Sequence, residues 1–159
     1  MKLIIGIGNH GEKYTNNRHN VGHMVVDKVK NNNVRIKNAI VVKTNIFMND
    51  SGSFVKRVLD SSHLVPSDLY IVHDDLDLPL GSWKMQFAKG PKDNGGINSI
   101  EQVLSTKDFW RIRVGIDPTT PRLRGASHGS DFVLGDFLSE ERIILDKVIK
   151  EICNKLATF

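Results

Sequence analysis

The sequence predicts an α/β fold in a single domain over residues 1–159, with a mixed central β-sheet flanked by helices. Short apolar runs rich in β-branched residues alternate with longer segments whose apolar residues recur every three or four positions. This alternation is typical of a sheet that helices cover. The chain has 159 residues, of which 40% are hydrophobic and 25% charged, and these values suit one domain with a buried core.

Five short segments are the predicted strands. The first is an apolar run closed by glycines, the second is rich in β-branched residues, and the third is apolar up to the acidic segment that begins at His73. The predicted strands comprise residues 3–7, 39–46, 69–72, 82–88 and 112–116. Residues 118–131 are the one long irregular stretch, and loops of this length are often mobile or functional.

Four longer segments are the predicted helices, because their apolar residues fall on one face at helical spacing. They comprise residues 21–32, a segment that follows residues 51–53 and continues through Leu59, residues 97–104, and residues 139–156. Asn20 is the predicted N-cap of the first helix. The last predicted helix begins at Ser139, and two glutamates follow it, which is a pattern typical of a helix start. Its apolar stripe consists of Leu145, Val148, Ile149, Ile152 and Leu156.

The composition favours a cytoplasmic protein with a polyanionic partner. The formal net charge is +4 and the isoelectric point is about 9.2, and basic residues gain free energy from counterion release when they neutralise phosphates. Cys153 is the only cysteine, so we expect a packed thiol in a reducing compartment. The apolar run after Lys2 ends at Gly6, too early for a signal sequence or a membrane span. We therefore expect no membrane association.

Residues 6–11 read Gly-Ile-Gly-Asn-His-Gly after a predicted strand and match the dinucleotide-binding pattern G-x-G-x-x-G. A dinucleotide site also needs a helix that begins at the glycines and an acidic residue about 20 positions later. The sequence offers neither, which argues against nucleotide binding. Two interpretations stay open: the glycines make a tight turn that presents Asn9 beyond the strand end, or the turn is only structural.

His19 and the acidic segment 73–77 are the candidate chemical groups. His19 lies at a loop–helix junction, where it is either catalytic or a surface or capping residue. The acidic segment follows a predicted strand, at the edge where open α/β sheets place ligands. Its carboxylates suit three alternatives: Mg²⁺ binding, orientation of a histidine, or a solvated turn. There is no G-x-S-x-G segment and no metal-type His/Cys spacing, so the signatures of a serine esterase and a zinc hydrolase are missing.

Basic residues are concentrated between residues 82 and 124. They are Lys84, Lys89, Lys92, Lys107, Arg111, Arg113, Arg122 and Arg124. The acidic residues of the same region are Asp93, Glu101, Asp108 and Asp117. Such a run is either a solvated surface or a track that contacts the phosphates of a nucleic acid.

Taken together, these segments resemble the bacterial-type peptidyl-tRNA hydrolase family, in order and across most of the chain. The resemblance is carried by GIGNHG at residues 6–11 with Tyr14 and RHNVG at 18–22, FMNDSG at 47–52, HDDLDLP at 73–79, and GGIN at 95–98 followed by RIRVGI at 111–116. Residues 132–135 and the last helix also lie where the family has them. Any one segment could match by chance, but four in register do not.

The resemblance implies an enzyme that hydrolyses the ester bond of peptidyl-tRNA as a monomer, without a metal or cofactor. It implies that His19 is the general base, that Asp74 is its partner, and that Asn9, Asn49 and Asn98 hold substrate and water. Residues implied to contact the substrate or its tRNA are Tyr14, Met48, Asn49, Asn98, Arg113, Lys84 and Lys89. An unperturbed imidazole has a pKa of about 6.5 and is mostly neutral at pH 7, which suits a base.

The chain departs from the family pattern at three positions. His10 stands where the family usually has proline, Asn17 where it has threonine, and Ile97 where it has a second histidine. Ile97 leaves a non-polar side chain beside Asn98, which affects the details of peptide binding. Two rival functions are a non-catalytic RNA-binding protein on the same fold, similar to the plant-type splicing factors that resemble this family, and a nucleotide-dependent or Mg²⁺-dependent phosphoryl enzyme.

Overall fold

One five-stranded sheet, in the order β2-β1-β3-β5-β4, forms the centre of the computed structural model, which describes residues 1–118 and 129–159. The strands are β1 (Lys2–Gly6), β2 (Ala39–Lys43), β3 (Leu69–Pro79), β4 (Trp83–Phe87) and β5 (Trp110–Asp117). The described α-helices are α1 (Val21–Asn31), α2 (Ser51–Ser62), α3 (Gly95–Leu104), α4 (Gly129–Val133) and α5 (Ser139–Leu156). The predicted α/β class is confirmed.

The sheet is mixed, as predicted. β1 pairs in parallel with both β2 and β3, and β3 pairs in parallel with β5. β4 is the exception, because it runs antiparallel to β5 at the edge of the sheet. Since parallel strands end at a common edge, the loops that follow β1, β2 and β3 meet on the same side of the molecule.

Two apolar layers hold the helices to the sheet. On one face α1 and α5 pack against β1, β3 and β5, and the α5 stripe predicted from the sequence is buried there. On the other face α2 and α3 pack against β1 and β3, with partly buried residues of β2. Cys153 lies in the first layer as a buried free thiol, and burial raises its pKa. None of the described helices is long and apolar enough to cross a membrane.

Several predicted element boundaries are wrong, the most consequential in β3. We expected the strand to end at residue 72, but β3 continues to Pro79, because Asp74 and Asp75 are buried and pair with β5. Helix α3 begins at Gly95 and not at residue 97, and β2 ends at Lys43. The predicted irregular stretch 118–131 overlaps helix α4, and the part at 119–128, which includes Arg122 and Arg124, lies outside the described residues.

Candidate active site

The candidate site lies where β1 stops pairing with β3. The two strands pair as far as Gly6 opposite Val72, and the Ile7 amide still donates to the Val72 carbonyl at 3.1 Å. Beyond that point β3 continues past the end of β1, so its side chains meet the loop that follows β1. Of the polar residues that the sequence predicts for the site, Asn9 and His19 follow β1, Asp74 lies on β3, Asn98 lies on α3, and Asn49 lies on a 3-10 helix, Met48–Asp50, before α2.

His19 and Asp74 are in direct contact. The imidazole Nδ1 of His19 lies 2.8 Å from Oδ2 of Asp74, and because an ionised carboxylate only accepts, Nδ1 carries the proton and donates it. A short 3-10 helix, Arg18–Asn20, carries the histidine, and β3 carries the aspartate. The Asp74 side chain is 2% exposed and that of His19 13%. The nitrogen on the other side of the ring, Nε2, therefore remains for water or substrate.

Asn9 is fixed by contacts to both its backbone and its side chain. Asn20 Oδ1 accepts from the Asn9 backbone N–H at 2.8 Å, and Asn20 Nδ2 donates to the Asn9 carbonyl at 2.9 Å. Asn9 Oδ1 accepts from the Met48 backbone N–H at 2.7 Å. Because a backbone N–H can only donate, this contact identifies the oxygen end of the Asn9 carboxamide and leaves its Nδ2 end as a donor.

Asn20 occupies the predicted N-cap position of α1, but it does not cap the helix through its side chain. Its carboxamide is instead committed to the Asn9 backbone. The Asn20 carboxamide has one acceptor and one donor, and these match the buried backbone N–H and C=O of Asn9. The side chain therefore connects the turn that carries His19 to the loop that carries Asn9.

Asn94 is a site residue that the sequence reasoning missed. Its Nδ2 lies 3.1 Å from both Oδ1 and the backbone carbonyl of Asp74, and its Oδ1 caps α3 by accepting from the Gly96 and Ile97 amides. The available signal was its position before Gly95 and Gly96, since asparagine is a favoured N-cap residue. The contact with Asp74, 20 residues away in sequence, had no local signal.

Arg18 anchors the turn that carries His19 and was also missed. Its Nη2 donates to Oε1 of Glu141 at 2.7 Å in a buried ion pair, and its Nη1 donates to the Phe132 carbonyl at 3.3 Å. The Arg18 backbone N–H donates to the Gly135 carbonyl at 3.0 Å. The predicted helix-start role of Glu141 holds as well, because the same Oε1 accepts from the Leu138 amide.

The acidic residues near Asp74 have separate partners. Arg113 Nε donates to Oδ2 of Asp75 at 2.7 Å, and the Lys92 backbone N–H donates to Oδ2 of Asp77 at 2.8 Å. The sequence left three alternatives for these carboxylates: metal binding, orientation of a histidine, or a solvated turn. The structure gives each carboxylate a different partner: Asp74 contacts His19, Asp75 contacts Arg113, and Asp77 contacts the Lys92 backbone. Within residues 1–118 and 129–159, no three His, Cys, Asp or Glu side chains are grouped in a way that could hold a metal ion.

The two described arginines of the basic run are buried in ion pairs. This does not fit the predicted alternative of a surface track that contacts the phosphates of a nucleic acid. Arg113 is 7% exposed and also donates its Nη1 to Oε1 of Gln86 at 2.6 Å. Arg111 is 1% exposed and pairs with Glu101 at 2.6 Å. The exposed basic residues of the run are Lys84, Lys89, Lys92 and Lys107. A tRNA contact by Arg113 would require its guanidinium to reach a phosphate from this buried position.

The remaining predicted substrate residues lie around the start of α3 and the loop after β1. Tyr14 is half-buried and packs edge-on against Phe47, with 6.3 Å between ring centroids. Met48 is buried and packs closely against Gly96: a Cβ added to Gly96 would lie only 2.5 Å from the Met48 Sδ. Asn49 and Asn98 are exposed, and Asn98 Nδ2 donates to Oδ1 of Asp93 at 2.8 Å.

Two other histidines lie near the site, and the pKa of each is lowered. His73 is fully buried, and burial lowers its pKa, while its Nδ1 donates to the Asp74 carbonyl at 2.7 Å. Burial, with Lys43 nearby, lowers the pKa of His23 to about 4. His23 Nε2 lies 2.9 Å from the hydroxyl of Thr44. Both histidines are therefore neutral at pH 7.

The assembled groups suit hydrolysis of an acyl compound by water. Nε2 of His19 has no hydrogen-bond partner among residues 1–118 and 129–159 and can take a proton, and the Asp74 carboxylate behind the ring can stabilise the resulting imidazolium. The Nδ2 end of Asn9 is a donor held in a fixed direction, which is what an oxyanion or an attacking water requires.

Comparison with known proteins gives a consistent result. A family model described as peptidyl-tRNA hydrolase matches residues 3–159. Proteins of that name from a Sulfurihydrogenibium species and from Persephonella marina are each 38% identical to this chain, over 94% of it and 85% of the relative. A crystal structure of peptidyl-tRNA hydrolase from Acinetobacter baumannii superposes with a TM-score of 0.79 at 25% identity, over 98% of this chain and 86% of that one.

Proposed function

The chain belongs to the peptidyl-tRNA hydrolase family, and from this we propose that it hydrolyses the ester bond of peptidyl-tRNA with His19 as the general base. The products are a free peptide and a tRNA that can be used again in translation. The observation that carries the proposal is the 2.8 Å hydrogen bond between His19 Nδ1 and Asp74, because it leaves Nε2 as the basic nitrogen.

In the proposed reaction, His19 Nε2 takes a proton from water as the water oxygen attacks the ester carbonyl. Asp74 holds the other ring proton and stabilises the imidazolium that forms. A positioned general base contributes about 10²–10⁴-fold to the rate. The imidazolium then gives its proton to the leaving ribose oxygen, so the base is regenerated in each turnover.

Asn9 is proposed to donate its Nδ2 hydrogens to the developing oxyanion or to the attacking water. Its oxygen end is held by the Met48 amide, so the donor end needs no reorganisation during the reaction. Such a donor contributes about 3 kcal/mol of barrier lowering. Asn98 points its Nδ2 toward Asp93, and we assign its Oδ1 end to a donor on the substrate.

The remaining assignments concern substrate binding and the setting in which the enzyme works. Tyr14, Met48 and Asn49 are proposed to line the site near the tRNA terminus and the peptide, and the exposed Lys84 and Lys89 to contact tRNA phosphates. For Arg113 we favour a structural role, because its guanidinium already has two protein partners. We further propose that the enzyme is a cytoplasmic monomer without a metal or cofactor.

The test is incubation of the protein with a defined N-blocked aminoacyl-tRNA, with and without excess EDTA, beside the His19→Ala variant. We expect release of the blocked amino acid at the same rate with and without EDTA, and a rate at least about 100-fold lower for the variant. Binding of tRNA without hydrolysis would instead support an RNA-binding protein. Activity lost in EDTA and restored by Mg²⁺ would support metal-dependent chemistry, and activity of the variant within threefold of wild type would remove His19 from the mechanism.

A further inference from the structure

A single buried carboxamide connects the partner of His19 to helix α3. Asn94 donates through Nδ2 to Oδ1 and to the backbone carbonyl of Asp74, both at 3.1 Å. Its own Oδ1 accepts from the amides of Gly96 and Ile97 at 3.0 and 3.2 Å. Asn94 is 7% exposed, so these protein contacts replace water around the group.

The two oxygens of the Asp74 carboxylate are divided between two residues. Oδ2 faces His19 Nδ1 at 2.8 Å, and Oδ1 faces Asn94. The terminal torsion of an aspartate is broad, so a hydrogen bond to His19 alone would leave the carboxylate plane free to turn about that contact. A donor on the second oxygen removes this freedom.

Asn94 also lies between Asp74 and a residue implicated in substrate binding. Its backbone carbonyl accepts from the Asn98 N–H at 2.8 Å, while its side chain holds Asp74. The same residue thus fixes both the carboxylate behind His19 and the first turn of the helix that presents Asn98.

We propose that Asn94 is a positioning residue for the hydrolysis: its carboxamide fixes the plane of the Asp74 carboxylate against His19 and holds α3 at a set distance from that carboxylate. The inference rests on the proposed function, because it takes His19 as the base. The competing explanation is that Asn94 only caps α3. The positioning role requires the Nδ2 donor to Asp74 for full activity. A capping role requires only the Oδ1 acceptor for α3.

Asn94→Ser separates the donor from the cap. Serine is as good an N-cap as asparagine, but its hydroxyl is too close to its own backbone to replace the amide donor to Asp74. We expect kcat to fall about tenfold to a hundredfold, with little change in KM or in Tm. Asn94→Ala, which lacks both groups, should lose the same activity and also melt at a lower temperature.

Asn94→Asp adds a readout that a capping role does not predict. Aspartate keeps the acceptor for α3 but places a second negative charge beside Asp74, which favours the protonated form of the nearby imidazole. The rise of kcat/KM with pH should therefore move to higher pH. Ser99→Ala is the matched control on the same helix, because the Ser99 hydroxyl accepts from the Gly52 amide at 2.9 Å, away from Asp74. It should keep wild-type kcat.

A proton NMR spectrum distinguishes failure of this inference from failure of the proposed function. The proton shared by His19 and Asp74 should give a downfield signal that is absent in His19→Ala, weakened in Asn94→Ser and retained in Ser99→Ala. If Asn94→Ser keeps both this signal and a kcat within twofold of wild type, Asn94 is only a cap and the inference is overturned. If wild type does not hydrolyse the substrate but the signal behaves as expected, the proposed function is wrong, while the positioning of Asp74 against His19 by Asn94 is supported.

Discussion

Arg113 and Asp75 form an ion pair across two adjacent strands in which the side chains are 9% and 0% exposed and Nε lies 2.7 Å from Oδ2. Arg113 lies on β5 opposite His73 on β3, and its Nη1 reaches Gln86 on β4. One guanidinium therefore connects three strands immediately behind the candidate site.

We predict that Arg113→Ala destabilises the protein and reduces activity on every substrate alike. Removal of one partner leaves the Asp75 carboxylate buried and uncompensated, which costs about 3–5 kcal/mol. For a domain of this size the melting temperature should fall by on the order of 10 °C. The measurement is a melting curve, together with kcat/KM on a full tRNA substrate and on a minimal substrate that carries only the terminal nucleotides.

Lys89→Ala is the contrasting variant, because Lys89 is exposed and is proposed to contact a phosphate. It should lower kcat/KM for the full tRNA alone, reduce the salt slope of binding by about one unit and leave Tm unchanged. If Arg113→Ala instead spares the minimal substrate and keeps its Tm, the arginine contacts tRNA and the ion pair is incidental.

The fold was largely predictable because its elements carry strong periodic signals. The α5 stripe that includes Leu145 and Ile152 repeats at helical spacing, and it is buried in the core. The extension of β3 through His73 and Asp75 was not predictable, because charged residues after an apolar run are more often a turn. A buried strand is stable there because Asp75 pairs with Arg113 on β5 and Asp74 contacts His19 and Asn94.

The candidate site was predictable in its residue types but not in its connections. His19 and Asp74 are 55 positions apart, and their contact was expected only from the family resemblance. The roles of Asn94 and Asn20 depend on which backbone atoms face their carboxamides. The role of Arg113 depends on whether its guanidinium contacts a carboxylate of the neighbouring strand or a group outside the protein. The cap that Asn94 forms on α3 has a local signal, its position before two glycines, but the other relationships have none.

We predict that His23 contributes to loss of stability in acid. Its pKa is lowered to about 4 in the folded protein, against about 6.5 when unfolded. The unfolded chain therefore binds a proton first as pH falls, and stability that is complete above pH 6.5 is lost between about pH 6.5 and 4. From pH 7 to pH 5 the loss attributable to His23 is about 2 kcal/mol.

His23→Gln tests this loss, since glutamine can still donate to the Thr44 hydroxyl but does not titrate. Urea unfolding of both proteins at pH 7 and pH 5 gives the free energy of unfolding at each pH. His73, whose pKa is also lowered, is present in both proteins, so the difference between the two pH dependences isolates His23. Equal pH dependence in the variant and wild type would contradict the prediction.

We predict that Asp74→Asn lowers the maximum of kcat/KM and moves its rise to lower pH. The substitution keeps the shape but removes the negative charge that favours the imidazolium during attack. The measurement is a pH profile from about pH 5 to 9 on one substrate, with circular dichroism as the control for folding. An unchanged profile would mean that the hydrogen bond between His19 and Asp74 has no part in the reaction.

The last prediction is that Asn9→Asp abolishes most activity while the protein stays folded. In the wild type, Asn9 Oδ1 accepts a hydrogen bond from the Met48 amide at 2.7 Å. Aspartate keeps this acceptor oxygen but replaces the Nδ2 donor with a negatively charged oxygen. An oxyanion would then meet repulsion instead of a hydrogen bond, so kcat should fall by about 10²–10³-fold or more.

Asn9→Ala, in contrast, leaves the Met48 N–H without its partner and should also cost about 1–3 kcal/mol of stability. Comparing kcat and Tm for the two variants separates the donor from the acceptor, and a kcat for Asn9→Asp within tenfold of wild type would rule out Asn9 Nδ2 as the oxyanion donor.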